Sequence, residues 1–304
     1  MVIRPLSSGL QAIAKIELNE NPERVETDVD HLRQWISHQP HLRSRTDDQW
    51  LLSMLRGCKF SLQKAKKKID SYYTMRTSVP EYFSNRDPYL PEIQKILKLG
   101  LYLPLESYNG PRIFLNRTSN TDPQEIQFHN LMKTALMVMD IVLNEDDNCI
   151  IYGQCLILDH KGITINHLLQ FSPLECKRAL VDTKKAYPFR FKGLHVINTP
   201  FVYEYVVTMI GRVLGAKFNS RIKAYAEDNI HKVWENVPKR VIPKEYGGDG
   251  KSVEELTDEW KRKVENYKDW FIEDSKYLCD ESKRIQVNSN ELGVEGTFRQ
   301  LTID

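Results

Sequence analysis

Cysteines are few, long apolar runs are absent, and almost no net charge is left over in this chain of 304 residues. The five cysteines, Cys58, Cys149, Cys155, Cys176 and Cys279, form no C-x-x-C pair, and no Cys/His cluster has zinc spacing, so no metal is expected. An odd number argues against a disulfide framework and for reduced thiols. The 43 Lys and Arg nearly balance 41 Asp and Glu, which excludes a uniformly basic nucleic-acid binder and predicts no nucleic-acid partner. No run approaches the ~18 apolar residues of a membrane-spanning helix. The greasiest stretches, Leu131–Leu143 and Phe201–Leu214, are broken by Lys133 and Asp140 and by Glu204 and Arg212. The opening residues MVIRPLSSGLQ lack the apolar core of a secretion signal. The expected location is the cytoplasm, with transient membrane association.

Catalytic signatures are missing too. No G-x-G-x-x-G, G-x-S-x-G or H-E-x-x-H occurs. The segment Gly247-Gly248-Asp249-Gly250-Lys251-Ser252 imitates a phosphate-binding loop, but Glu245 stands where that loop needs its first glycine. A turn is expected there. Asp159-His160 at a strand end offers an acid–base pair, although strand ends commonly carry polar residues. The run Asn144–Asn148 lacks the spacing of a calcium loop and is read as a solvated turn. No enzyme activity and no cofactor are expected.

What is present is a mixture, 41% hydrophobic and 28% charged with mean hydropathy −0.49, typical of a soluble globular chain. The first ~90 residues read as helix. Val29, Leu32, Trp35 and Ile36 recur at helical spacing. Thr46-Asp47-Asp48 forms a capping signal, and Leu62–Arg76 pairs a lysine face with Ala65, Ile69, Tyr72 and Tyr73. Beyond residue 100 the rhythm alternates. Strands are expected at Arg112–Asn116, Ile150–Leu158, Gly193–Asn198 and Arg221–Ala226. Helices are expected near Pro123–Leu143, Pro173–Tyr187, Phe201–Leu214 and Val253–Tyr277. Such alternation predicts an α/β domain with a largely parallel sheet. The expected division is a helical domain over 1–95, an α/β domain over 96–257, and a C-terminal helix with a polar tail over 258–304.

Charge is distributed unevenly. Residues 184–223 hold Lys184, Lys185, Arg190, Lys192, Arg212, Lys217, Arg221 and Lys223 against one acid, Glu204, a local net charge of +7 in a chain of +2. This basic segment encloses Phe201, Val202, Tyr205, Val206, Met209, Ile210, Val213 and Leu214, which cover more than one helix stripe. Such a helix is either buried on all sides or faces something greasy. Read as a lid over an apolar cavity, it would place cations beside anionic headgroups, each contributing about 1 kcal/mol near a membrane surface. Leu131, Met132, Ala135, Leu136, Met139, Val142 and Leu143 suit either a plain core or one wall of such a cavity.

Three motifs then carry a family resemblance. Tyr187-Pro188-Phe189-Arg190-Phe191-Lys192-Gly193-Leu194-His195-Val196-Ile197-Asn198-Thr199-Pro200 resembles the central motif of CRAL-TRIO lipid-binding proteins. Val237-Pro238-Lys239 with Ile242-Pro243-Lys244-Glu245-Tyr246-Gly247-Gly248 resembles the closing motif. Leu51–Phe60 (LLSMLRGCKF) and Tyr72–Arg76 (YYTMR) are similar to the helical N-terminal domain. The likeness spans about residues 30 to 275, in the family's order. It implies a helical N-terminal domain followed by an α/β lipid-binding domain with a mobile helical lid at Phe201–Leu214. The nearest branch binds tocopherol or retinaldehyde. Carried over position by position, the resemblance implies a lipid pocket of Met132, Ala135, Met139, Leu158, Thr183, Tyr187, Phe191 and Leu194. It also implies a phosphoinositide headgroup site of Arg190, Lys192, Lys217 and Arg221. Ala135 and Met139 replace two family serines, which makes that wall more apolar, and Cys58 replaces a family arginine, with Arg56 two positions earlier. The implied partners are one small hydrophobic lipid and a phosphoinositide-containing membrane, bound by a monomer. Ligand sensing for a protein partner and phospholipid transfer remain open alternatives.

Overall fold

The computed structural model describes residues 3–117, 121–122, 124–164, 166–167, 173–198 and 220–285. The expected lid at Phe201–Leu214 and Lys217 lie outside them. The N-terminal part is helical: α1 (Ser8–Leu18), α2 (Val25–Ser37), α3 (Asp48–Gly57), α4 (Leu62–Ser78), the short α5 (Pro80–Phe83) and α6 (Pro91–Leu99). Each has a local cause. Asp47 caps α3 by accepting from the Trp50 N–H, as the sequence signal predicts. Pro91 starts α6, and Gly100 ends it in the left-handed region. Val25, Val29, Leu32 and Ile36 form the buried stripe of α2. They pack with Trp50, Leu51, Met54, Ile69 and Tyr73 in one core cluster.

The sheet has five strands in the order of the chain: β1 (Tyr102–Pro104), β2 (Arg112–Asn116), β3 (Gln154–Asp159), β4 (Phe191–Ile197) and β5 (Ile222–Tyr225). β1 is antiparallel to β2, and the other neighbours are parallel. Parallel neighbours need crossovers. Helices α7 (Phe128–Glu145) and α8 (Asp147–Tyr152) link β2 to β3, and α9 (Pro173–Ala186) links β3 to β4. The short α10 (His231–Trp234) follows β5, then come α11 (Val253–Asn266) and α12 (Lys268–Asp274). The mixed α/β architecture with a helical N-terminal region is the expected one.

Differences from the sequence expectations have local reasons. The apolar run Ile150–Leu158 is not one strand. Asp146 caps α8 through the Cys149 N–H, so Ile150 and Ile151 are buried from a helix. Gly153, at φ +93°, then turns the chain into β3. The acidic run Asn144–Asn148 is a bonded junction rather than a solvated turn: Asp147 holds Arg4, Gln49 and Arg56, and Asn148 donates to the Tyr108 carbonyl. The expected helix Val253–Tyr277 is two helices, α11 and α12. Helix α6 and strand β1 are too short for periodicity to announce them. The loop imitator is a turn, as expected. Gly247 takes a left-handed φ of +81°, and Ser252 with Glu255 forms a capping box that starts α11.

Helix α7 is buried almost all round because it separates two cores. Leu136, Met139 and Leu143 join the cluster of the N-terminal helices, whereas Met137, Val138, Ile141 and Val142 join the cluster containing the sheet residues Ile113, Phe114, Ile157 and Ile197. The Met-rich character of this helix therefore serves packing on both sides. At its centre Asp140 is fully buried and accepts from Tyr72 (3.0 Å), Tyr187 (2.7 Å) and Arg86 (2.6 Å). Arg86 and Arg76 also hold Asp274 of α12, which Arg45 contacts at 2.9 Å. One buried charge network thus ties α4, α7, α12 and the start of the central motif together.

Candidate functional site

The sheet supplies an apolar floor. In parallel strands, residues paired in register point to the same face. Phe114 pairs with Leu156, Leu156 with Leu194, Leu158 with Val196, and Leu194 with Ile222. Leu158 and Leu194, both expected in the pocket, therefore share one face with Phe114, Leu156, Val196 and Ile222. Leu194 is buried, and Leu156, Leu158 and Ile222 are half-buried. A register shift between Gln154 and Cys155 places Phe191 opposite Gln154. The Thr183 hydroxyl on α9 is buried and finds no partner among the described residues. Met132, Ala135 and Met139 follow one another at helical spacing on α7. Met139 is buried in the N-terminal cluster, and half-buried Met132 packs against it.

Tyr187 also has a structural task. It is 2% exposed, packs edge-on against Tyr72, stacks on Phe189 and donates to Asp140. Burial, and next the Asp140 charge, push its phenol far above the ordinary range. It thereby joins the helical region to the segment that opens β4. Gly57 does the same by close approach, since a Cβ there would lie 2.1 Å from the Pro188 carbonyl oxygen. Two segments singled out in the sequence, LLSMLRGCKF and YPFRFKG, thus meet face to face.

The basic cluster sits where β4 begins. Arg190 donates to the Ile151 carbonyl, and its Nη1 lies 3.1 Å from a Glu17 carboxylate oxygen. Lys192 Nζ lies 3.7 Å from the same oxygen. Arg221 donates to the Phe191 carbonyl. Burial, then the Arg190 charge, lower the Lys192 pKa, with Arg221 adding to the effect and Glu17 opposing it. Three of the four expected headgroup residues therefore lie within electrostatic reach of one another. Gly153 allows this crowding, because a Cβ there would lie 2.3 Å from the Arg190 carbonyl oxygen and 3.0 Å from Lys192 Cγ. Sequence reasoning missed Glu17. A signal existed in Ser7 before Leu10, Ile13, Ala14 and Leu18, a cap followed by helical spacing.

Other residues singled out in the sequence have structural partners. Arg56 is 1% exposed and forms a two-pronged pair with Glu20, both contacts at 2.9 Å, with Asp147 as its second partner. It is committed and offers no replacement for an arginine at Cys58. Cys58 is itself buried, and burial raises its thiol pKa. Asp159 accepts from Asn198 (2.6 Å), from Tyr246 (2.5 Å) and from the Lys161 N–H, so it anchors the closing motif to β3. Burial lowers the His160 pKa to about 4, with Asp159 opposing. The pair is part of a buried hydrogen-bonded junction, in which the His160 N–H donates to the Ile197 carbonyl.

Among the described residues one group has donors that could hold a metal: His41, Asp70 and Cys279, with ligand atoms within 4.8 Å of one another. The Arg284 guanidinium already supplies a cation there, 2.8 Å from Asp70 and 3.3 Å from the Cys279 sulfur. A cleft of about 490 Å³ lined by Glu81, Glu92, Glu125, His129 and Lys133 is polar and open, unlike a lipid site. No helix among the described residues is long and apolar enough to cross a membrane.

Two family models match the chain. Residues 21–93 match the "Pinta-like, UBA domain" family, and residues 100–248 match the CRAL/TRIO domain. The alpha-tocopherol transfer protein-like protein of Mus musculus is 26% identical over 246 residues, covering 80% of this chain and 71% of that protein. Clavesin-1 of Rattus norvegicus is 28% identical over 238 residues, covering 77% of this chain and 67% of that protein. The crystal structure of Sfh5 superposes with a TM-score of 0.50 at 11% identity, covering 83% of this chain and 92% of that one, which establishes a likeness of fold.

Proposed function

The chain is a CRAL/TRIO-domain protein, and from that premise we propose that it carries one small hydrophobic lipid to or from phosphoinositide-containing membranes. The tocopherol-transfer name of one set of relatives supports a lipid of tocopherol type, and a retinoid or similar isoprenoid belongs to the same proposal. The observation that carries the proposal is the cluster of Arg190, Lys192 and Arg221 at the edge of a half-buried apolar sheet face. The site would comprise Met132, Ala135, Met139, Leu158, Thr183, Tyr187, Phe191 and Leu194 around the lipid. Phe201, Val202, Tyr205, Val206, Met209 and Ile210 would form the lid, and Lys217 would join the three cations at the headgroup.

Physical chemistry links the two halves of the site. A lipid moved through water exposes its chain at about 0.8 kcal/mol per methylene. A closed apolar pocket removes that cost, and opening in water would restore it. Opening is therefore favoured only against a bilayer. An anionic surface that binds the open form better shifts the population towards it. The protein acts as a monomer in the cytoplasm, without a cofactor and without catalysis.

Vesicle binding and native mass spectrometry test this together. Each cation near an anionic surface contributes about 1 kcal/mol, so Lys192→Gln with Lys217→Gln is expected to weaken binding to phosphoinositide vesicles about 30-fold. Lipid retained after exposure to a mixed extract should stay at one molecule per chain. Equal loss of retention and vesicle binding would refute the division of roles. Failure to retain any lipid, where a known carrier loads, would refute the function.

A further inference from the structure

Helix α1 brings a carboxylate to the place where the proposed headgroup would otherwise meet Arg190 and Lys192 together. Glu17 lies 173 positions before Arg190 and contacts both cations through one oxygen, at 3.1 and 3.7 Å. Its pKa is lowered, first by the hydrogen bond from Arg190, so it is held as an anion. The side chain is 46% exposed, so it can swing into solvent. The rest of α1 does not need to follow. Ala14 and Leu18 are buried against Ile151, and Glu20, just past the helix, is locked on Arg56. The Arg190 guanidinium is incompletely used, since its buried Nε finds no partner among the described residues.

We propose that Glu17 is a built-in competitor that occupies the Arg190–Lys192 pair and must be displaced by an inositol polyphosphate headgroup. The proposal rests on the headgroup reading above and adds its regulation. A carboxylate brings one negative charge and two oxygens. A phosphate brings about −1.5 to −2 and three acceptor oxygens, so it wins the same pair of cations once it arrives at high local concentration. Phosphate-poor surfaces do not displace Glu17, and the pair keeps its carboxylate partner, which lowers its charge from +2 to +1. The contact thus acts as a threshold: it suppresses weak binding to generally anionic membranes and lets dense phosphate through. Specificity of this kind comes from an internal rival rather than from extra contacts to the ligand.

The test uses the full chain with soluble inositol trisphosphate, vesicles of phosphatidylcholine, and the same vesicles containing phosphatidylinositol bisphosphate. Glu17→Gln keeps shape and removes charge. Two partly exposed pairs are lost, so affinity for both the soluble headgroup and the phosphoinositide vesicles is expected to rise about fivefold. Glu23→Gln, an equal change of net charge at an exposed residue outside the cluster, should leave both affinities unchanged. Equal binding by the wild type and Glu17→Gln overturns the competitor while leaving the headgroup site standing. A gain confined to vesicles overturns it as well, since Glu17 would then oppose only the bilayer's field. A matching gain from Glu23→Gln has the same consequence. If neither the wild type nor Glu17→Gln binds the headgroup or the vesicles, the headgroup reading itself fails and the competitor with it.

Discussion

Replacing Asp140 with asparagine should cost this protein a large share of its stability, although the side chain keeps its size. Asp140 is 1% exposed at the centre of α7. One oxygen accepts from the hydroxyls of Tyr72 and Tyr187, and the other faces Arg86 at 2.6 Å and Arg76 at 3.4 Å. Asp274 is the second carboxylate of the group, and Arg45, Arg76 and Arg86 are its guanidiniums. The network therefore already holds one more cation than anion. The substitution would leave three guanidiniums on one carboxylate, and the new amide NH₂ would meet donors. Removing one partner of a buried ion pair costs about 3–5 kcal/mol, out of a total of about 5–15 kcal/mol for a typical domain. At about 2 °C per kcal/mol for a large chain, the midpoint should fall by about 6–10 °C. Urea unfolding at pH 7, followed by tryptophan fluorescence, measures the loss. Tyr187→Phe removes one hydrogen bond to the same carboxylate and should cost about 1.5–3 kcal/mol. The double variant should cost less than the sum, because both changes act on one acceptor. A loss under about 1 kcal/mol for Asp140→Asn, or strict additivity, would refute the claim that these groups act as a unit.

Two further outcomes are expected. His160 has its pKa lowered from 6.5 to about 4 by burial, so between those values the unfolded chain binds a proton that the folded chain refuses. Stability therefore falls as pH drops from about 6.5 to about 4 and loses nothing more from this group below that; the loss is about 3 kcal/mol. Unfolding of His160→Gln across that range should show a correspondingly shallower decline, and parallel curves for the two proteins would remove His160 as the cause. Gly57→Ala would place a methyl 2.1 Å from the Pro188 carbonyl oxygen and 2.4 Å from Pro188 Cβ, neither of which can rotate away. Overpacking of this kind costs about 1–3 kcal/mol, readable as a lowered thermal midpoint. An unchanged midpoint would mean that α3 and the Pro188 turn separate without cost.

Local signals make much of this protein legible in its sequence. Asp47 before Trp50 announces α3, the stripe Val29, Leu32 and Ile36 announces α2, and Arg112–Asn116 is the strand it promises to be. Such signals work because caps and periodicity act within a turn or two of the chain. The run Ile150–Leu158 misleads because apolarity alone does not separate a buried helix from a buried strand; the Asp146 cap and the positive φ of Gly153 decide it. The cations Arg190, Lys192 and Arg221 are visible by composition, whereas their shared counter-ion is not. Glu17 reaches them only because α1 packs on α8, and a contact across 173 residues leaves no mark in local pattern. Asp140 reads in the sequence as an interruption of a greasy helix, yet the fold gathers it and Asp274 with three arginines from the N-terminal region. By itself the sequence determined most of the segments that become helix or strand and which residue types the site holds. The tertiary structure alone decided which charges meet, because burial and long-range packing, not neighbours in the chain, set the cost of leaving a charge unpaired.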